Sequence, residues 1–113
     1  MTDYCQVTTT VDSREAAERI ARALVEERLA ACGQVQGPIR STYRWQGRVE
    51  QADEWYCHLK TTRSQLPALE ARLRALHPYD TPELIALPIV AGLSAYLDWI
   101  DDNVGPTPSR PES

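Results

Sequence analysis

The stretch HPYDTPEL, His77 to Leu84, gathers an imidazole, a phenol and two carboxylates around two prolines. Such groups move protons, accept a cation or orient a polar ligand, and loops held by rigid neighbours are where they are most often used. The prolines also serve a plain structural purpose. Pro78 forbids continuation of a helix, and Asp80-Thr81-Pro82 turns the chain. A turn needs none of His77, Tyr79 and Glu83, so the segment reads either as a stiff corner or as a corner with a ligand cleft.

Cys5, Cys32 and Cys57 form an odd set without C-x-x-C spacing. That pattern excludes a zinc knuckle or a dithiol pair within one chain and fits a reducing compartment. Cys32 is a soft donor suited to Cu(I) or Zn(II), although a small cysteine of this kind is more commonly an inert core residue.

The 113 residues carry a net charge of −4, with a pI near 5.1. Acids and bases are interspersed, which excludes the clustered Lys/Arg of a nucleic-acid surface. Tyr4 to Val11 is too short and polar for a signal-peptide core, and no apolar run is long enough to span a bilayer. The expectation is a cytoplasmic protein with no membrane or nucleic-acid partner. A chain of this length buries about two-thirds of its unfolded surface as one domain.

The elements that must position these residues follow from periodicity. Tyr4 to Val11 alternates with β-branched residues and predicts a strand. Asp12-Ser13-Arg14-Glu15 reads as a capping box with Asp12 as the cap. Ala17, Ile20, Ala21, Leu24, Val25 and Leu29 then share a helical face, and Gly33 can close that helix. Cys32 to Tyr43 is extended, interrupted at Gly37-Pro38 by a bulge or an edge. Gln46-Gly47 suits a two-residue hairpin turn into a long strand, Val49 to Thr61, with Trp55, Cys57 and Leu59 on one face and Tyr56, His58 and Lys60 on the other.

Ser64 is the expected cap of a second helix carrying Leu66, Leu69, Leu73 and Leu76, with Pro67 in its first turn and its end near His77. Leu84 to Val90 predicts a short strand, with Pro88 at an edge or an end, and Leu93 to Val104 a last helix. Residues 1–104 read as one domain, and the proline-rich polar segment 105–113 as a disordered tail. The fold class is α+β, a ferredoxin-like β-α-β-β-α-β sandwich with an extra C-terminal helix. Both major helices cover one sheet face. The other, with Tyr4, Tyr56 and β-branched residues, is expected to form a patch that another subunit buries.

LAAC (Leu29 to Cys32), YRWQGRVE (Tyr43 to Glu50), LKTT (Leu59 to Thr62), HPYDTPEL and YLDWI (Tyr96 to Ile100) together resemble the CutA family of divalent-cation tolerance proteins. The likeness runs from about Val7 to Ile100, co-linear and without a large gap. It implies a ferredoxin-like homotrimer whose sheets pack around a threefold axis, much like PII-type signalling proteins. It further implies a part in tolerance of copper and other divalent ions, with no chemical reaction and hence no enzyme, and no organic cofactor. The residues it places around clefts between subunits are Cys32, Trp45, Lys60, His77, Tyr79, Glu83 and Trp99.

Against that resemblance, Lys60 reads as a strand-end cation reaching water or as an inter-subunit ion pair with Glu83, the pair being the expectation. Trp45 at the hairpin tip reads as a packing anchor against a neighbouring subunit. His58 departs from the apolar residue the family favours in this strand. Three copies meeting on the axis would form an imidazole cluster suited to Zn, Ni or Cu, and a single copy would sit at a wet rim. The metal-ligand candidates are thus Cys32, His77 and His58. A PII-like small-molecule sensor is the alternative. An acylphosphatase-like hydrolase, suggested by GQVQGPIR (Gly33 to Arg40), fails because its phosphate cradle belongs between the first strand and the first helix.

Overall fold

Residues 3–106 are described by a computed structural model. The alternating segment Tyr4–Val11 forms β1. Its inward residues Cys5, Val7, Thr9 and Val11 are buried beneath the helices, together with Cys57 and Leu59. Helix α1, Arg14–Glu26, buries the predicted stripe of Ala17, Ile20, Ala21 and Leu24. Its cap is Ser13 rather than Asp12, with Oγ accepting from the Ala16 N–H at 3.1 Å. The helix ends before Arg28, which adopts φ 60°. Leu24 O accepts from the N–H groups of Leu29 and Ala30 as the chain turns. Gly33 therefore does not close the helix, and its role is close approach: a Cβ there would lie 2.7 Å from that of Ala21.

Strands β2, Cys32–Trp45, and β3, Arg48–Thr62, are longer than the sequence suggests. The register shifts between Gln36 and Ile39, so Gly37-Pro38 is absorbed as a bulge without ending β2. Gln46 and Gly47 make the predicted two-residue turn, with φ of 49° and 76°. Two successive left-handed residues match the right-handed twist of the strands they join.

A single 3-10 turn, Arg63–Gln65, precedes α2, Leu66–Leu76. Ser64 does not cap α2; its hydroxyl lies 3.1 Å from that of Thr62. Strand β4 is Ile85–Pro88, and α3 is Ser94–Asn103. The sheet order is β2-β3-β1-β4 with every pair antiparallel, as the ferredoxin-like plan requires. Of the predicted tail, Gly105 is tied to the body: its N–H donates to Arg28 O and its carbonyl accepts from Arg28 Nε. Residues 107–113 lie outside the described residues.

Two features position the candidate site. The first is the sheet face away from α1 and α2. Register places Gln6, Thr8 and Thr10 of β1 beside Lys60, His58 and Tyr56 of β3, with Gln34 and Gln36 beyond on β2 and Ile85 and Leu87 on β4. Apart from Ile85 and Leu87 at its β4 edge this face is largely polar, which corrects the expected apolar patch: its alternate β1 and β2 positions are threonines and glutamines, while Val7, Val11, Cys57 and Leu59 fell to the helix side. Helix α3 returns to one end of it, where Leu97, Ile100 and Val104 pack with Tyr4 and Ala31.

The second feature is an arm. Strand β1 ends opposite Trp55, so Ile39–Trp45 and Arg48–Glu54 continue as a two-stranded ribbon. It draws the molecule out to 59 Å against 27 and 22 Å in the other directions. Ile39, Tyr43 and Trp45 share one face of that ribbon. Trp45 is 59% exposed.

Candidate functional site

The corner His77–Leu84 wraps the end of β1. His77 is the C-cap of α2 and only 7% exposed. Its Nε2 donates to Thr10 O at 2.8 Å, and its Nδ1 accepts from the Tyr79 N–H at 3.1 Å. A carbonyl can only accept and an amide N–H can only donate, so the ring is fixed as the neutral Nε2–H tautomer with no lone pair left for a metal. Within one chain His77 thus links the end of α2 to the end of β1.

Tyr79 lies edge-on to His77, with ring centroids 4.8 Å apart, and its hydroxyl donates to Glu54 Oε2 at 2.8 Å. Burial, and then the bond to the Glu54 carboxylate, push the Tyr79 phenol above its ordinary pKa, so it remains a donor at neutral pH. Glu83 is exposed on the same corner, where its Oε1 faces the Thr10 hydroxyl at 3.4 Å. The structure thus brings His77, Tyr79 and Glu83 together through Thr10 and adds Glu54, which the sequence reading missed. Glu54 is 8% exposed although it carries a carboxylate on a strand running out to the arm. Its burial depends on Tyr79, 25 residues later, and no local pattern announces that contact.

Lys60 stands apart from this corner. Its Nζ donates to Gln34 Oε1 at 2.7 Å. Lys60 pairs with Gln6 on β1, whereas Glu83 reaches Thr10, four positions further along the strand. About 13 Å of strand separates the two ends, so Lys60 and Glu83 do not meet within one chain, and the expected pair is one between subunits. The ion pairs among the described residues are Arg22–Glu26, Arg40–Asp53 and Arg72–Glu27, all exposed and remote from the corner.

His58 lies at the centre of the open face, its ring stacked on Tyr56 with centroids 5.1 Å apart. Nδ1 is 3.0 Å from Thr8 Oγ1 and Nε2 3.2 Å from Gln36 Oε1. Both nitrogens are committed to side chains of the sheet, which argues against a ligand role here as at His77.

Cys32 begins β2 beside α3, with Sγ 3.7 Å from Tyr96 Oη. Burial and that sulfur contact raise the Tyr96 phenol. Tyr96 stacks on Trp99 at 5.6 Å, and Trp99 is 41% exposed. A shallow groove runs from Cys32, Gly33 and Val35 to Val25 of α1 and Trp99 of α3. Tyr96 also escaped the sequence reading as a site residue, although its spacing of three from Trp99 on a helix signals a shared face. Cys5 and Cys57 are inert by contrast. Burial pushes Cys57 up to about 12, and no thiolate forms there at neutral pH.

Trp45, Lys60, the Glu83 corner and Trp99 are therefore spread over an arm tip, the open face and the two ends of one sheet. Among the described residues no group of three or more His, Cys, Asp or Glu side chains is placed to hold a metal ion. No described helix is long and apolar enough to cross a membrane.

The pattern of the CutA1 divalent ion tolerance protein family matches residues 5–103. The chain belongs to the CutA family. It is 51% identical over 96 residues to the divalent-cation tolerance protein CutA of Thermus thermophilus, a match covering 85% of this chain and 93% of that protein. A second CutA, from Archaeoglobus fulgidus, is 42% identical over 84% of this chain and 92% of its own length. Solved CutA structures agree in shape. The Thermus thermophilus protein superposes with a TM-score of 0.88 at 49% identity, over 90% of this chain and 99% of the other. CutA from Xylella fastidiosa gives 0.89 at 41% identity, over 92% and 100%. The fold of this CutA and its place among divalent-cation tolerance proteins rest on these likenesses together.

Proposed function

We propose that this CutA is a cytoplasmic, non-enzymatic homotrimer that serves copper and divalent-cation tolerance by holding a metal ion or small ligand at clefts between subunits. The observation that carries this reading is the incompleteness of the single chain. An isolated two-stranded ribbon is marginal in water, yet the arm beyond Glu54, where the Tyr79 hydroxyl bonds, leaves Tyr43 and Trp45 42% and 59% exposed. The chemical candidates are likewise dispersed, and both histidines are satisfied internally. A neighbouring copy would support the arm and bring one chain's Trp45 or Lys60 near another's Glu83 or Trp99.

Cys32 is the soft donor best placed for copper, being the one partly exposed thiol among the described residues. With one such donor per chain, a site would need a neighbouring chain, water or a small molecule to complete it. Copper and zinc titration calorimetry on wild type and Cys32→Ser tests this: the variant should lose or greatly weaken binding. Unchanged binding would place the metal elsewhere.

The PII-like sensor reading is favoured by one feature, the groove beside Cys32. Val25, Val35 and Trp99 would suit an organic ligand better than a bare ion. Thermal-shift screening of metals against nucleotides and metabolites separates the two, since a ligand of the native state raises apparent stability. A hydrolase gains no support, because Gly33 to Arg40 lies within strand β2 and forms no phosphate cradle.

A further inference from the structure

The centre of the open sheet face holds a titratable group that neither the metal reading nor the cleft reading uses. His58 faces Thr8 on β1 and Gln34 on β2. Its Nδ1 also lies 3.5 Å from Gln6 Nε2. An amide NH2 only donates and an amide oxygen only accepts. Gln36 Oε1 therefore accepts from Nε2, while Nδ1 lies between the Gln6 amide and, nearer at 3.0 Å, the Thr8 hydroxyl, which can donate or accept. Burial, and then the Lys60 ammonium, hold the His58 pKa below the ordinary histidine value.

No acid offsets this. From β3 the ring meets Tyr56 and Lys60; from β1 Gln6, Thr8 and Thr10; from β2 Gln34 and Gln36, with Cys32 beyond, opposite Lys60. Strand β4 adds Ile85 and Leu87, 48% and 52% exposed. Acids stand at the edges of the face: Asp101 of α3 on the Tyr4 hydroxyl, Glu83 on Thr10, and Glu54 two positions beyond Tyr56 on β3, its carboxylate accepting from the Tyr79 hydroxyl. Among the described residues, none bonds to His58 or Lys60.

We propose that His58 gates self-association through this face by pH, the neutral imidazole permitting a second and third copy to cover it and the imidazolium opposing them. The inference rests on the homotrimer reading and deepens it. Protonation would place a second positive charge beside Lys60 on every chain. Packing further copies of the same face would then remove water from those charges and supply no acid in exchange.

Association disfavours the protonated ring, so acid must disfavour association. Assembly is complete above the ordinary histidine value of about 6.5 and weakens as pH falls through the free-chain pKa towards the lower value in the assembly. Each pH unit by which association lowers that pKa costs about tenfold in association per chain.

Sedimentation velocity of the full chain at fixed micromolar concentration, from about pH 8 to about pH 5, tests the proposal on wild type and His58→Gln. The glutamine keeps a donor and an acceptor on the face but cannot titrate. Wild type should shift to smaller species with acid, by at least about tenfold in association per chain, while His58→Gln stays assembled. Equal acid sensitivity in both proteins would overturn the gate and leave the trimer standing. So would assembly that strengthens with acid, or wild-type assembly insensitive to pH. A wild type that is monomeric even at the alkaline end would overturn the homotrimer reading, and the gate with it.

Discussion

At the scale of single residues, the most informative outcome concerns His77. Its type and its place among Tyr79, Asp80 and Glu83 suggest chemistry, but both of its nitrogens are spent joining the end of α2 to the end of β1. We expect His77→Ala to cost roughly 1–3 kcal/mol by orphaning the Tyr79 N–H and relaxing a buried contact. Copper and zinc binding per folded chain should remain unchanged. Urea unfolding at fixed chain concentration and titration calorimetry give the two readouts, and a variant of normal stability that no longer binds metal would restore His77 as a ligand. The pH argument for His58 belongs to this scale as well. Because its folded pKa is depressed, its neutral form is the stabilised one. The corresponding stability is present above about pH 6.5 and is lost as pH falls towards the folded value.

At the scale of elements, the contact between α1 and the start of β2 is set by the absence of a side chain. A Cβ on Gly33 would stand 2.7 Å from Ala21 Cβ and 3.2 Å from Leu59 Cδ2. Gly33→Ala should therefore destabilise by about 1–3 kcal/mol, as overpacking does in a tight core. Ala21→Gly alone should cost about 1 kcal/mol through helix propensity. Combining the two should cost less than their sum, since the second change removes the atom that the first one strikes. Additive losses in a double-mutant unfolding cycle would show that the helix simply shifts to make room. The same contact bears on function, because it fixes the wall of the groove in which Cys32 and Trp99 lie.

At the scale of the whole molecule, the arm is the element with the least support from its own chain. We expect Tyr43→Ser together with Trp45→Ser to weaken the proposed trimer by at least tenfold in association, as loss of aromatic anchors commonly does at interfaces. The body, whose core of Val7, Ile20, Leu24, Leu59, Leu69 and Leu73 lies elsewhere, should keep its native circular dichroism. Sedimentation equilibrium decides this, and a variant that assembles as wild type would remove the arm from the interface.

The order of elements was readable from the chain because period-2 and period-3.6 patterns, the Gln46-Gly47 turn and the Pro78 stop are local events. The family was readable for a related reason: the motifs that carry it are short and co-linear. Boundaries were less legible. Asp12 and Ser13 are both competent caps, and only the backbone path selected Ser13. What the tertiary structure alone decided was which polar groups meet. Glu54 reaches Tyr79, Lys60 reaches Gln34, and His77 spends both nitrogens on main chain from β1 and its own loop. Each contact depends on strand register or on a loop folding over a sheet end, and a sequence pattern specifies the residues of such a pair without specifying their partner.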